Sequence, residues 1–304
     1  MIKWPVVSIL LIACVVLRAQ TPKHETGVVH TEDVDIGYET FGVPGPATPV
    51  IAVNGGPGLS HAYMVQNDVW QRIAKHRLVV LYDQRGTGAS KRVKPGAPQT
   101  MDAQVADLDA VRGKLGLEKV ALVGDSYGGM LSMAYAVAHP EHVAKLVLSD
   151  SPPPNWKTMV HLLPEVFPDT EESGAAEEKR LGESSDAAEQ AGLLNHFRMI
   201  FYSPEKRDAY MAKMGDLGYE PSVAAAISKS TSEMDLTAQI KEFHFPVLVI
   251  TGRYDMNVAP LTAWRMAHEI PGAKIVFFEK SGHLPAYEEP EKYLTVLDGF
   301  LNEK

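Results

Sequence analysis

"VALVGDSYGG", residues 120–129, decides how the chain is read. An apolar run of strand length ends here in a glycine. A helical pattern opens directly beyond it, with Met130, Met133, Ala134 and Val137 at helical spacing. Between strand and helix stands Gly124-Asp125-Ser126-Tyr127-Gly128, a G-x-S-x-G in a strand–turn–helix setting. A turn this tight leaves no room for side chains at 124 and 128. It also holds the serine in a strained conformation that lifts its hydroxyl above the sheet edge. The helix N-terminus beneath favours developing negative charge. Ser126 is therefore the candidate nucleophile.

Outward from this turn, short apolar runs alternate with helical patterns. "PVIAV" (49–53), "HRLVVLY" (76–82), "AKLVLS" (144–149), "PVLVI" (246–250) and "AKIVFF" (273–278) have strand length and little polar alternation. Such strands, separated by helices, predict a mostly parallel, doubly wound α/β sheet covered on both faces. "VDIGYETFG" (34–42) reads as an antiparallel entry strand. The alternation stops at about residue 152, where "SPPPNW" opens a stretch with a run of acidic residues from Glu165 to Glu189. That run reads as a solvated helix face or mobile loop. "LLNHFRMIF" and "VAAAISKS" read as helices. The expected organisation is a core of residues 28–151 and 241–304, with residues 152–240 inserted as a helical cap.

A serine hydroxyl needs a base, and the base needs an orienting acid. Asp255 follows the strand "VLVI" and His283 follows "KIVFF", giving the chain order Ser, acid, His. Both stand at carboxyl ends of parallel strands, where open α/β sheets place their sites. Asp150, after "KLVLS", is a rival acid. His139 and His142 flank a helix end and read as capping or surface residues, whereas His61 is a candidate to line the pocket. An acyl-transfer site also needs two backbone N–H groups aimed at the oxyanion. Tyr127 supplies one by position. "VNGGPGLSH" (53–61) supplies the other, with Gly56 favoured over Gly55, and Pro57 has no N–H to offer. Asp83 and Arg85, in "LYDQRGTGAS", read as a structural pair bracing that loop.

Taken in order, "NGGPG", "DQRGTGAS", "GDSYGG", "GRYD" and "SGH" resemble the prolyl aminopeptidase (proline iminopeptidase) family of α/β-hydrolases. The resemblance runs from about residue 30 to the end and is weak across 152–240. It implies an α/β-hydrolase fold with an inserted helical cap. It also implies Ser126 as nucleophile, Asp255 as acid, His283 as base and an oxyanion hole near Gly56 and Tyr127. The implied activity is release of an N-terminal residue, often proline, from short peptides, with no metal and no cofactor. Three positions depart from the family pattern. Asn54 replaces a histidine at the head of the glycine loop. Met256 replaces a glutamate that helps hold the substrate's α-ammonium, and Ala224 falls where the cap supplies a second one. Glu220 and Glu233 are the nearby carboxylates that remain as substitutes, and Asn54, Gly55 and Met256 are further candidate substrate contacts. An apolar Met256 suits an apolar group better than a cation. The alternatives are therefore an esterase or amidase of small apolar acyl substrates with the same triad, or a non-catalytic binding protein on a hydrolase scaffold.

Composition narrows the partners. The 304 residues are 45% hydrophobic and 22% charged, which allows one large α/β domain with an insertion. A net charge of −9 argues against nucleic acid and anionic membranes. "MIKWPVVSILLIACVVLRAQ" carries an apolar run too short to span a membrane and reads as a signal peptide over residues 1–19, giving a secreted or periplasmic product. The alternatives are a lipoprotein anchored through Cys14 and an uncleaved anchor. Cys14 is the only cysteine, so the folded domain has no disulfide and no cysteine nucleophile.

Overall fold

A computed structural model describes residues 23–183 and 185–303. Residues 1–19, expected to be a signal peptide, and with them Cys14, lie outside the described residues. Eight strands form one sheet: β1 (His24–His30), β2 (Asp35–Phe41), β3 (Val50–Val53), β4 (Val79–Tyr82), β5 (Val120–Asp125), β6 (Val143–Ser149), β7 (Val247–Gly252) and β8 (Lys274–Phe278). Their order is β1-β2-β4-β3-β5-β6-β7-β8. The first two pairings, β1 with β2 and β2 with β4, are antiparallel, and all others are parallel. The sheet begins at His24, ahead of the expected core boundary at 28. "HETGVVH" is an edge strand whose side chains are mostly exposed, so it carries no apolar signature.

The central strands are apolar on both faces because both are covered. Ile51, Val80, Leu122, Leu146 and Val249 point to one side. There they meet helices α2 (Met101–Lys114) and α3 (Tyr127–Ala138), after a short α1 (Val69–Ile73) on the opposite side. Val50, Leu81, Val123, Val147 and Leu248 alternate to that opposite face. Alternation at period two thus feeds two cores from one strand. Each fully buried aliphatic contributes roughly 1.5–3 kcal/mol.

Between β6 and β7 the chain leaves the sheet. It forms α4 (Leu163–Val166), α5 (Pro168–Leu181), α6 (Asp186–Met199), α7 (Pro204–Lys213) and α8 (Pro221–Thr231). These helices, with Leu217 from the segment between α7 and α8, build a third cluster around Leu163, Phe197 and Tyr210, with the Phe197 and Tyr210 rings stacked at 5.7 Å. The cluster is completed by Leu59 and Leu284, from the loops that follow β3 and β8. The acidic helix α5 buries no side chain. The last turns are α9 (Pro260–Glu269), α10 (Pro285–Glu288) and α11 (Pro290–Asn302), and Tyr293, Leu297 and Leu301 of α11 sit in the second core.

The expected Asp83–Arg85 pair does not form, because each finds a better-placed partner. Arg85 is buried against Asp107 of α2 at 2.6 Å. Asp83 instead accepts from the His61 backbone N–H at 2.9 Å and contacts its Nδ1 at 2.7 Å, while His61 Nε2 reaches Glu39 of β2 at 2.9 Å. Burial resists charging His61, but its two carboxylate partners outweigh it and raise the pKa to about 9. The value is raised on folding from 6.5. The stabilisation is therefore complete below 6.5 and is lost as pH climbs through about 9. Urea unfolding at both ends of that window should show wild type losing on the order of 3 kcal/mol relative to His61→Gln.

Candidate active site

Ser126 caps α3 with φ 51° and ψ −126°, a conformation rare for any residue with a side chain. Close backbone packing imposes it. A Cβ on Gly128 would collide with the carbonyl oxygens of Val53 and Asn54, and one on Gly124 with the carbonyl of Gly128. The Ser126 N–H is anchored to the Ser149 carbonyl of β6 at 2.9 Å, so the turn is tied to both neighbouring strands.

Asp255 and His283 meet beside it. Asp255 Oδ1 accepts from the N–H groups of Asn257 and Val258, both at 2.9 Å, and Oδ2 lies 2.7 Å from His283 Nδ1. Asp255 is 1% exposed and His283 4%. A carboxylate can only accept, so it holds the proton on Nδ1 and leaves Nε2 to act as a base. Nε2 faces the Asn257 side-chain nitrogen at 3.2 Å. Burial opposes a charged His283, yet Asp255 and then Asp125 outweigh it, and the pKa is raised. The two loops approach so closely that a Cβ on Gly252 would meet the Gly282 carbonyl. The His283 N–H donates to Ile200, at the end of α6, at 2.8 Å, so the cap helps hold the histidine.

Asp150 is close but differently occupied. Its Oδ1 accepts from the Gly252 N–H at 2.8 Å and its Oδ2 from Ser149 Oγ at 3.1 Å. Burial first, then the charge of Asp255, pushes its pKa well above the usual carboxylate range. It ties β6 to β7, while Asp255 orients the imidazole. Asp150, Asp255 and His283 also bring one ligand atom each within 4.8 Å of one another, the grouping best suited to a metal among the described residues. The carboxylate oxygens there already accept hydrogen bonds from backbone, serine or imidazole.

A cavity of about 330 Å³ opens over Ser126 and His283, with Gly56 on one wall and Ala224 and His196 of the cap on another. The glycine loop divides its donors. The Gly55 N–H is spent on Tyr63 Oη at 2.6 Å, which leaves Gly56 to face the cavity. Tyr127 opens α3, where the first N–H groups have no intrahelical acceptor. Its side chain is buried elsewhere, against Gln104 at 2.8 Å.

The expected substrate contacts fare unevenly. Asn54 is fully buried, donating to the carbonyls of Gly55 and Leu59 at 3.0 and 2.7 Å, so it shapes the loop from inside. Gly55 presses its backbone against Ser126 and does not line the cavity. Met256 packs into the cap cluster, its carbonyl accepting from Leu162. Glu220 is drawn outward to Lys91 at 2.8 Å and Glu233 to Lys157 at 2.5 Å. Neither carboxylate lines the cavity, because each has a solvent-facing lysine within reach. His61 belongs to the Glu39–Asp83 network and is likewise outside the lining.

Three contributors are not legible from motif spacing. Asn257 touches His283 Nε2. Tyr63 links Gly55 to Asp125, donating to its Oδ2 at 2.5 Å. Glu288, fully buried, accepts from the N–H groups of Tyr202, Ser203 and Gly282 at 3.0, 2.9 and 2.6 Å. It therefore clasps the α6–α7 turn of the cap to the histidine loop.

Comparison with known proteins places the chain at two levels, fold and family. Residues 48–290 match the family model of the alpha/beta hydrolase fold. Among solved structures, a Rhodococcus esterase superposes with a TM-score of 0.73 at 22% identity, covering 93% of this chain and 99% of that one. An esterase from Thermogutta terrifontis gives 0.67 at 25%, covering 91% and 98%. More specifically, the chain belongs to the proline iminopeptidase family of α/β-hydrolases. It is 32% identical to the proline iminopeptidase of Heyndrickxia coagulans over 287 residues, covering 88% of this chain and 95% of the relative. The proline iminopeptidase of Lactobacillus delbrueckii subsp. bulgaricus is 31% identical over 269 residues, covering 83% and 89%. That of Saccharolobus solfataricus is 28% identical over 302 residues, covering 92% and 93%.

The Glu288 clasp can be tested directly. Glu288→Gln replaces one carboxylate oxygen by an amide NH₂, which cannot accept: with Oε1 kept for Tyr202 and Ser203, the NH₂ meets the Gly282 N–H. Denaturant unfolding should report a loss on the order of 2–4 kcal/mol. Turnover should fall along with it, because Gly282 adjoins His283.

Proposed function

We propose that the protein is a serine aminopeptidase of the proline iminopeptidase type, releasing the N-terminal residue of short peptides through an acyl-enzyme on Ser126. The observation that carries this reading is one cavity lined by Ser126 and by a His283 whose Nδ1 is held 2.7 Å from Asp255. The family membership supports this class of substrate.

In this mechanism His283 Nε2 exchanges its contact with Asn257 for one with Ser126 Oγ and takes the hydroxyl proton. Oγ attacks the acyl carbon. The carbonyl oxygen becomes an oxyanion held by the N–H groups of Gly56 and Tyr127, with the N-terminal end of α3 adding favourable potential. His283 then gives its proton to the departing amine, and the C–N bond breaks. Water, deprotonated by the same nitrogen, attacks the acyl-enzyme and restores Ser126. Asp255 stays ionised throughout, fixing the tautomer and stabilising the imidazolium.

One observation favours a second reading, an esterase or amidase acting on a small apolar acyl group. Glu220 and Glu233 are engaged outside the cavity, and Met256 lies in the cap cluster. An aminopeptidase has to offset the desolvation of a cation.

Two measurements test the proposal. A fluorophosphonate should label wild type and not Ser126→Ala, and a folded wild type that resists labelling sinks the catalytic reading. Turnover should be lost when the amine of a proline arylamide is acylated. An unchanged rate, or a strong preference for short-chain aryl esters, would favour the esterase.

A further inference from the structure

The cavity's lining includes one carboxylate, and it sits beside the nucleophile. Asp125 precedes Ser126 and lines the same cavity, although it is only 7% exposed. Its Oδ2 is engaged by the Tyr63 hydroxyl, and no hydrogen bond to Oδ1 is found among the described residues. Tyr63 in turn receives the Gly55 N–H, so one chain of hydrogen bonds runs from the glycine loop to Asp125. The parts are in contact. A Cβ on Gly55 would lie 2.8 Å from Ser126 Cβ, 2.9 Å from Tyr63 Oη and 3.0 Å from the Asp125 carbonyl oxygen.

The position suits a particular ligand. In an N-terminal residue the charged nitrogen is borne by the carbon adjacent to the acyl carbon. Whatever holds that ammonium must therefore lie within one residue's reach of Ser126 Oγ. Glu220, Glu233 and Met256 are not on the lining. We infer that Asp125, through its free carboxylate oxygen, is the anchor for the α-ammonium of the substrate, an inference that rests on the aminopeptidase reading above.

The surroundings fit a cation. His196, on the cap wall, is held neutral: burial, then the charges of His283 and His161, drive its pKa down to about 3. It adds no positive charge to repel an ammonium. Burial raises Asp125 to about 6, against the opposing pull of His283 and Tyr63. The carboxylate is thus mainly ionised at neutral pH and becomes fully so beside a bound cation. Low local polarity makes such a pair strong once both charges are paired and hydrogen-bonded.

The test compares proline p-nitroanilide with cyclopentanecarboxylic acid p-nitroanilide, which has the same ring without the nitrogen. Wild type should prefer the amine-bearing substrate. Asp125→Asn keeps an oxygen for Tyr63 and should shrink that preference at least about tenfold, mainly through KM. A wild-type measurement covers the case in which the variant folds poorly. The ratio of kcat/KM for the two substrates should fall as pH drops through about 6, because the contribution of His283 cancels in the ratio. A folded Asp125→Asn that retains the preference overturns the inference and leaves the aminopeptidase reading standing, as does a pH-independent ratio. A wild type indifferent to the ring nitrogen overturns both.

Discussion

The rest of the site depends on one close contact: the backbone of the Ser126 turn pressed against the carbonyl oxygens that end β3. Gly128 leaves no space for a side chain between α3 and Val53–Asn54. That contact fixes the serine at φ 51°. It also sets the separation between the first N–H of α3 and the glycine loop that follows β3. Ser126 and both proposed oxyanion donors are therefore positioned by the same packing. A protein interior this dense cannot relax one without moving the others. The strain at Ser126 is carried by the sheet, through anchoring to β6 and the parallel ladder of β3, β5 and β6.

Around that turn the chain buries three carboxylates within reach of one imidazole, and their hydrogen bonds set them apart. Asp255 accepts two backbone N–H groups and faces the imidazole. Asp150, buried beside it, is pushed toward the neutral form and ties two strands. Asp125 lies between, with one oxygen bonded to Tyr63 and a face on the cavity. Like charges so close cannot all ionise freely, and burial with local donors decides which do. The same accounting explains the cap. Glu288 and the Ile200 carbonyl fasten the ends of cap segments to the histidine loop. The element that covers the cavity thus also steadies His283.

The parallel strands were readable because burial on both faces leaves continuous apolar runs, as in "VALV" and "PVLVI". β1 was not, because an exposed edge strand has no such run. Ser126, Asp255 and His283 were readable because each follows a strand and the chain order is distinctive. Their support was not. Glu288 sits in "YEEPEKY", where nothing separates a buried clasp from a solvated acid. Arg85 and Asp107 pair across twenty-two positions, so proximity in sequence pointed wrongly to Asp83. Glu220 and Glu233 were plausible by position alone, and only side-chain direction shows them turned to Lys91 and Lys157. Asp125 is one of the two variable residues of G-x-S-x-G, but its side chain's environment comes from Tyr63, sixty-two positions away.

The central claim is that the acyl group of the substrate passes through Ser126. Acid-quenching the protein during turnover of a proline ester, followed by peptide mass spectrometry, tests it most directly. The account predicts a mass increase of one prolyl residue on the peptide containing Ser126, absent from Ser126→Ala. A prolyl adduct on another residue, or steady turnover by Ser126→Ala at the wild-type rate, would contradict it.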